Sequence, residues 1–131
     1  MRVLEKPITD SIISNLNKYS HVWVRKRHTT GMSGTIGWPD ITGIIKLEIN
    51  GLKFGIRIEI EVKKPGKKPT QVQYSRLRRF RKLGAITFWT DGLEDCMSKF
   101  ELWVKITTGE LGCSSPRDLL PHGPITIVKD L

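Results

Sequence analysis

The stretch Ile56-Arg57-Ile58-Glu59-Ile60-Glu61-Val62-Lys63 alternates apolar and charged residues without a break. A period of two is typical of a β-strand that lays one face on a hydrophobic core. The four β-branched residues of the stretch share that face. The opposite face carries the four charged residues, Arg57, Glu59, Glu61 and Lys63. Because charged side chains are costly to bury unless they are paired or used, we expect this face to have a chemical role.

A predicted hairpin brings Asp40 and Glu61 together. Asn50-Gly51 is a strong signal for a two-residue turn, so residues 41–49 and 52–63 are expected to pair as antiparallel strands. Asp40 then begins one arm of the hairpin and Glu61 ends the other. The turn alone therefore predicts that the two carboxylates lie side by side.

Asp40, Glu61 and the carbonyl of Val62 form a candidate site for Mg²⁺, which prefers hard oxygen ligands and keeps several waters. Lys63 points to the same side as Glu61, where its ammonium can hold an attacking water and balance the charge of a phosphate. Alternating Glu and Lys are, on their own, most often a solvated face with cross-strand ion pairs. Glu59 is expected to form an ion pair on the sheet, with metal ligation as the alternative.

Several motifs occur in a fixed order. G-x-P-D stands at residues 37–40, I-E-V-K at residues 60–63, and Gln73 and Gly84 mark the start and end of a following helix. An E-x-x-I-x-x-x-I-x-x-x-L pattern is made by Glu5, Ile8, Ile12 and Leu16. Over residues 5–95 this order resembles the VRR-NUC branch of the PD-(D/E)xK nucleases. These motifs in this order are a more specific sign of the family than any one of them alone.

The resemblance implies an α/β fold with a restriction-endonuclease-like core, in which a mixed central sheet of about four to five strands is flanked by helices. It implies a DNA endonuclease that depends on Mg²⁺ or Mn²⁺. In this interpretation Asp40 and Glu61 ligate the metal and Lys63 positions the nucleophile. Gln73 and Glu5 support them.

The resemblance also implies branched DNA as the substrate. A chain of this size presents one active site, whereas cutting both strands of a symmetric four-way (Holliday) junction needs two. We therefore expect a homodimer that acts on branched DNA.

Basic residues are concentrated in one part of the chain. The net charge is +9, from 22 Lys and Arg against 13 Asp and Glu, and residues 62–90 contain nine cations and no acidic residue. Such a block neutralises phosphates and predicts a polyanionic partner, although a basic helix can also serve solubility alone. The residues expected to hold a DNA backbone are Lys64, Lys67, Lys68, Arg76, Arg79, Arg25 and Arg27.

The remaining elements follow from hydrophobic spacing. Helices are predicted over residues 7–18, 71–83 and 93–104. Two further strands are predicted over residues 21–27 and 85–89, the second joined by a right-handed crossover. Thr70 is the expected N-cap of the second helix and Gly84 its stop. Val72, Leu77 and Phe80 are the residues of this helix that we expect to be buried.

The chain of 131 residues has the size of one domain. Residues 1–104 are expected to form the nuclease core, and residues 105–131 an extension that forms an edge strand or a dimer contact. Without a long apolar run or a signal-peptide core, the protein is expected to be intracellular with no membrane association, and cytoplasmic if it comes from a bacterium or a phage. Cys96 and Cys113 are expected to be reduced thiols.

The residues are also compatible with two other functions. A module can keep this fold and its basic face to bind nucleic acid without turnover, although the presence of Asp40, Glu61 and Lys63 together counts against it. The same core can also act on flaps, linear DNA or RNA. Nothing in the sequence separates DNA from RNA, because it shows neither an RNP-type aromatic motif nor a base-reading helix.

Overall fold

The computed structural model describes residues 5–27 and 37–107. The elements in chain order are α1 (Glu5–Leu16), β1 (Val22–Lys26), β2 (Ile41–Ile49), β3 (Leu52–Val62), α2 (Gln71–Lys82), β4 (Ile86–Thr90) and α3 (Leu93–Thr107). The last helix continues three residues beyond its predicted end. The rest of the expected C-terminal extension, with Cys113, lies outside the described residues.

The four strands form one mixed sheet in the order β1-β2-β3-β4. β1 and β2 pair antiparallel, as do β2 and β3, and β4 runs parallel to β3. Helix α2 makes the crossover between β3 and β4, as a parallel connection requires. The α/β architecture with a mixed central sheet and the βαβ unit expected from the sequence are therefore confirmed.

The turn between β2 and β3 sets the register of the hairpin. Residues 50–51 both have positive φ angles, of 52° and 79°, which is the backbone that a tight hairpin turn requires. The turn pairs Ile41 with Ile60. The residue before Ile41 is Asp40 and the residue after Ile60 is Glu61, so the register brings these two residues to the same end of the hairpin.

Each face of the sheet has its own helices. Ile58 and Ile60 of β3 are fully buried in a core that also contains Ile12 of α1 and Phe100 of α3. Helix α2 covers the charged face of β3, where its Phe80 lies against an arginine of that strand. The alternation of β3 thus gives one apolar face, which packs in the core with α1 and α3, and one charged face, which α2 covers.

One residue of α2 is placed differently from its prediction. Leu77 is fully buried, but Val72, which we expected to be buried, is 51% exposed. Five positions along a helix correspond to a rotation of about 140°, so Val72 lies off the stripe that contains Leu77. Phe80, three positions after Leu77, lies on that stripe and is partly buried.

Side chains cap both edges of the sheet. On β1, the Asn17 amide accepts a hydrogen bond from Val24 N at 2.8 Å and donates one to Val24 O at 2.9 Å, as a neighbouring strand would. On β4, Lys99 Nζ donates to Trp89 O at 2.7 Å, and Arg81 donates to a second carbonyl of the same strand. Open strand edges invite pairing with another chain, and these contacts prevent it at the capped positions.

Candidate active site

Asp40 and Glu61 meet where the hairpin ends. Asp40 Oδ2 accepts a hydrogen bond from Val62 N at 2.9 Å, which ties the Asp40 carboxylate to β3. Glu61 is 2% exposed, and its Oε1 accepts a hydrogen bond from Gln73 Nε2 at 3.0 Å. The hairpin register and the start of α2 therefore combine to hold two carboxylates in one place.

A capping box at the start of α2 aims Gln73. The Thr70 hydroxyl accepts a hydrogen bond from Gln73 N at 3.2 Å, and Gln73 Oε1 accepts one from Thr70 N at 2.8 Å. Because its oxygen is held by Thr70, the amide nitrogen of Gln73 is free to donate to Glu61. The T-x-x-Q pattern signals the capping box. It does not signal the contact with Glu61. In the sequence, only the resemblance to VRR-NUC nucleases assigns Gln73 to the site.

Lys63 and Glu5 complete the group. Lys63 Nζ lies 3.9 Å from Glu61 Oε1, and the Lys63 side chain is mostly buried. Glu5 is the first residue of α1, and its Oε2 accepts a hydrogen bond from Lys64 N at 3.3 Å. This contact fixes the start of α1 against the chain that follows Lys63. All five residues predicted for the catalytic group thus lie around one point.

Glu61 lacks a full counter-charge in the described part of the chain. Burial, and after it the charge of Asp40, raise the pKa of Glu61 to about 9, and Lys63 opposes this only in part. Glu61 Oε2 is buried and has no hydrogen-bond partner among the described residues. A buried carboxylate with an unpartnered oxygen beside a second carboxylate is an arrangement that a cation stabilises.

The donors at this point fit a small divalent cation. Over residues 5–27 and 37–107 no group of three or more His, Cys, Asp or Glu side chains could hold a metal ion. A cation here would therefore rely on the carboxylates of Asp40 and Glu61, the carbonyl of Val62 and water. Mg²⁺ is commonly bound in this way, through one or two carboxylates and several waters, and oxygen ligands also suit Mn²⁺.

Glu59, one pleat away on the same face of β3, is neutralised by arginines. Its carboxylate is fully buried, and its Oε1 accepts a hydrogen bond from Arg27 Nη2. Arg57 Nε lies 3.5 Å from its Oε2. The expectation that Glu59 forms an ion pair is confirmed. With two guanidinium groups beside it, Glu59 has its counter-charge from the protein.

Arg27 has a structural role that the sequence did not predict. Besides its ion pair with Glu59, Arg27 donates from Nε to Pro39 O at 2.9 Å and from its backbone N–H to Asp40 O at 2.7 Å. Its guanidinium lies 5.1 Å from the ring centroid of Trp38. These contacts hold the segment that carries Asp40. Because buried Glu59 needs a cation, Arg27 has a structural role in addition to the phosphate contact that we predict for it.

The other cations expected to contact a phosphate backbone lie at the surface. The exposed ones are Arg25, Lys67, Lys68 and Arg79. Lys64 is partly exposed and follows Lys63 directly. Arg76 is also partly exposed, and its guanidinium lies 4.9 Å from the ring centroid of Trp38. The basic surface therefore begins beside the candidate site and continues through the connector to α2.

A mixed sheet with helices on both faces, an Asp before one hairpin arm and a Glu-x-Lys at the end of the other define a restriction-endonuclease-like α/β domain. The chain has the VRR-NUC fold. A solved structure described as "VRR_NUC domain protein" superposes on it with a TM-score of 0.58, covering 80% of this chain and 92% of that chain at 16% sequence identity.

The likeness to this structure confirms the fold expected from the motifs. At 16% identity it concerns the fold alone. No protein-family model and no curated protein matches the sequence. In the described part of the chain, no helix has the length and apolar character needed to cross a membrane.

Stability should depend on pH through Glu61. Its pKa is about 9 in the folded protein against an ordinary value of 4.5, so between these values the folded state binds more protons than the unfolded state. Without metal, the free energy of unfolding should therefore fall as pH rises from about 5 to about 9. Mg²⁺ or Mn²⁺ should restore stability at the alkaline end, because it binds the ionised carboxylate. Thermal melts with EDTA and with metal measure both effects.

Glu61→Gln is the matched control for these melts, because the amide keeps the size of the side chain and does not titrate. We expect its melting temperature to vary less with pH and to be insensitive to metal. A wild-type protein whose melting temperature ignores added metal at about pH 8.5 would contradict the assignment of Glu61 as a ligand.

Proposed function

We propose that the protein is a metal-dependent nuclease that hydrolyses phosphodiester bonds in DNA. The observation that carries the proposal is the pairing of Asp40 with Glu61, whose buried Oε2 has no hydrogen-bond partner among the described residues, beside Lys63. The VRR-NUC fold supports it. The net charge of +9 supports a polyanionic substrate.

The ligands of Mg²⁺ or Mn²⁺ in this proposal are Asp40, Glu61 and the carbonyl of Val62. When bound, the cation supplies positive charge that polarises the phosphate and makes a water molecule more acidic. In hydrolysis, a water oxygen forms a bond to phosphorus and the bond from phosphorus to the leaving oxygen breaks. The water gives up a proton, and the leaving oxygen gains one.

Lys63, Gln73 and Glu5 have separate tasks in this site. The Lys63 ammonium can hold the attacking water or a non-bridging phosphate oxygen, where negative charge develops. Gln73 positions Glu61 through their 3.0 Å hydrogen bond. Glu5 holds the chain directly after Lys63 through Lys64 N. Gln73 and Glu5 are thus positioning residues that act through their neighbours.

The proposed substrate is branched DNA such as a four-way junction, and the proposed active form is a homodimer. The described residues of one chain contain one such site, so two symmetric cuts need two copies. Lys64, Lys67 and Lys68 give each copy a basic surface beside its own site. Because side chains occupy the sheet edges at Val24 and Trp89, we expect the two copies to meet through other surfaces.

Cleavage of a nucleic-acid panel tests the proposed activity. The panel contains linear duplex, single strand, flap, four-way junction and an RNA duplex, each with Mg²⁺, with Mn²⁺ and with EDTA. We expect the junction to be cut fastest and EDTA to abolish cleavage. Lys63→Ala and Asp40→Asn should each reduce the rate by about 100-fold or more while the affinity for DNA stays within a few-fold of wild type.

Other results of the panel would redirect the proposal. If the wild type binds DNA tightly and cuts nothing with either metal, the protein is a nucleic-acid-binding module on a nuclease fold. If Lys63→Ala cuts as fast as the wild type, the role of Lys63 is wrong. Faster cleavage of RNA, flap or linear DNA would replace the junction as the substrate.

Replacing Gln73 by Met tests its positioning role. The change removes the hydrogen bond that orients Glu61, and loss of such a support around a metal ligand usually costs about 10- to 100-fold in metal affinity or activity. We expect the Mg²⁺ concentration for half-maximal cleavage to rise. Thr70→Val is the control, because it also disrupts the capping box but leaves the Gln73 amide beside Glu61. Equal metal dependence in both variants would contradict the role.

A further inference from the structure

A second surface lies on the same side of the sheet, away from the candidate site. Helix α2 covers β3 and β4, and none of the described helices covers the outer side of β1 and β2 at this point. Trp23 is 58% exposed there and Ile44 is 49% exposed. The two residues are opposite each other in the β1-β2 register, and Ile44 is opposite Arg57 in the β2-β3 register. They form the centre of what we call the outer platform.

A glycine makes room for Ile44 on the outer platform. Gly55 lies beneath the Ile44 side chain, and a Cβ atom at position 55 would come within 2.7 Å of Ile44 Cδ1. The absence of that atom leaves room for the Ile44 side chain over β3. An exposed aromatic ring opposite an exposed aliphatic side chain offers an apolar surface on which a base can stack.

Positive charge borders the outer platform. The cations on this side of β1, β2 and β3 are Arg25, Lys46, Lys53 and Arg57, all exposed. Of the carboxylates on the same side of these strands, Glu48 is exposed opposite Lys53, whereas Glu59 and Glu61 are buried. Two copies docked through this face would set like charges against each other. A polyanion would meet complementary charge.

We propose that the outer platform binds an unpaired segment of nucleic acid, with a base stacked on Trp23 and its neighbouring phosphates held by Arg25 and Lys46. An aromatic side chain on a basic surface is a common way to bind single strands without reading their sequence, because every base has a π-face. The proposal rests on the proposed nuclease function and deepens it. It adds a contact for those branched substrates that carry unpaired nucleotides close to the cut.

The distance to the candidate active site fits one substrate strand. Arg57 precedes Glu61 by four residues on β3, which corresponds to about 13 Å along the strand. Trp23 lies two strands across from Arg57, which adds about 10 Å in the perpendicular direction. The resulting separation of about 16 Å equals about five stacked nucleotides at 3.4 Å each. Both sites lie on the same side of the sheet.

Fluorescence anisotropy with two labelled probes tests the outer platform. One probe is oligothymidylate of about 15 nucleotides, and the other is a duplex of the same length. The full chain is used with EDTA, so that binding is measured without metal-dependent cleavage. Trp23→Ala should weaken oligothymidylate binding about tenfold and duplex binding less than about twofold. Trp23→Phe should retain most of the affinity because it can still stack.

Leu83→Ala is the matched control, since Leu83 is 80% exposed at the end of α2 and lies outside the outer platform. We expect it to bind both probes as the wild type does. Unchanged oligothymidylate binding by Trp23→Ala would overturn the proposal. Equal losses on both probes would also overturn it, because they would indicate general contacts with phosphates. A Trp23→Ala protein that becomes monomeric in sedimentation but binds oligothymidylate normally would also overturn the proposal. It would show that this face is a contact between copies.

The outcome is separable from that of the nuclease proposal. A wild type that cuts no probe, together with a Trp23→Ala protein that loses only oligothymidylate binding, would support the outer platform and remove the nuclease. A wild type that cuts DNA, together with a Trp23→Ala protein that binds oligothymidylate normally, would keep the nuclease and remove the outer platform.

Discussion

The structure depends on the burial of two glutamates, Glu59 and Glu61, on one face of β3. A buried anion must be neutralised, and the protein treats these neighbours differently. Glu59 has Arg27 and Arg57 beside it. Glu61 has the neutral amide of Gln73, one ammonium 3.9 Å away and the charge of Asp40, which raises its pKa. This difference separates a structural ion pair from a candidate metal ligand.

The neutralisation of Glu59 also helps to build the site around Glu61. The guanidinium of Arg27, which pairs with Glu59, also holds the segment leading to Asp40 and stacks on Trp38. Trp38 in turn lies 5.6 Å from the ring of Phe80, which ties that segment to α2. The start of α2 then supplies the amide that orients Glu61. The contacts that neutralise Glu59 therefore also help to position Asp40 and Glu61.

The sequence predicted those features that depend on local pattern. Alternation predicted β3, the turn at residues 50–51 predicted its register, and the two together predicted that Asp40 and Glu61 meet. Features that depend on distant contacts were missed. Arg27 stands in a basic cluster, and nothing nearby shows that it pairs with a glutamate 32 residues away. Val72 was misplaced because an apolar residue does not by itself reveal which stripe of a helix is covered.

Determination of a crystal structure with Mn²⁺, using its anomalous scattering, tests the central claim most directly. In this account Asp40 and Glu61 hold a metal ion at the end of the charged face of β3. We predict an anomalous peak in contact with both carboxylates, with Glu61 Oε2 turned toward it. Mn²⁺ found only elsewhere on the chain, with no peak at Asp40 and Glu61, would contradict the account.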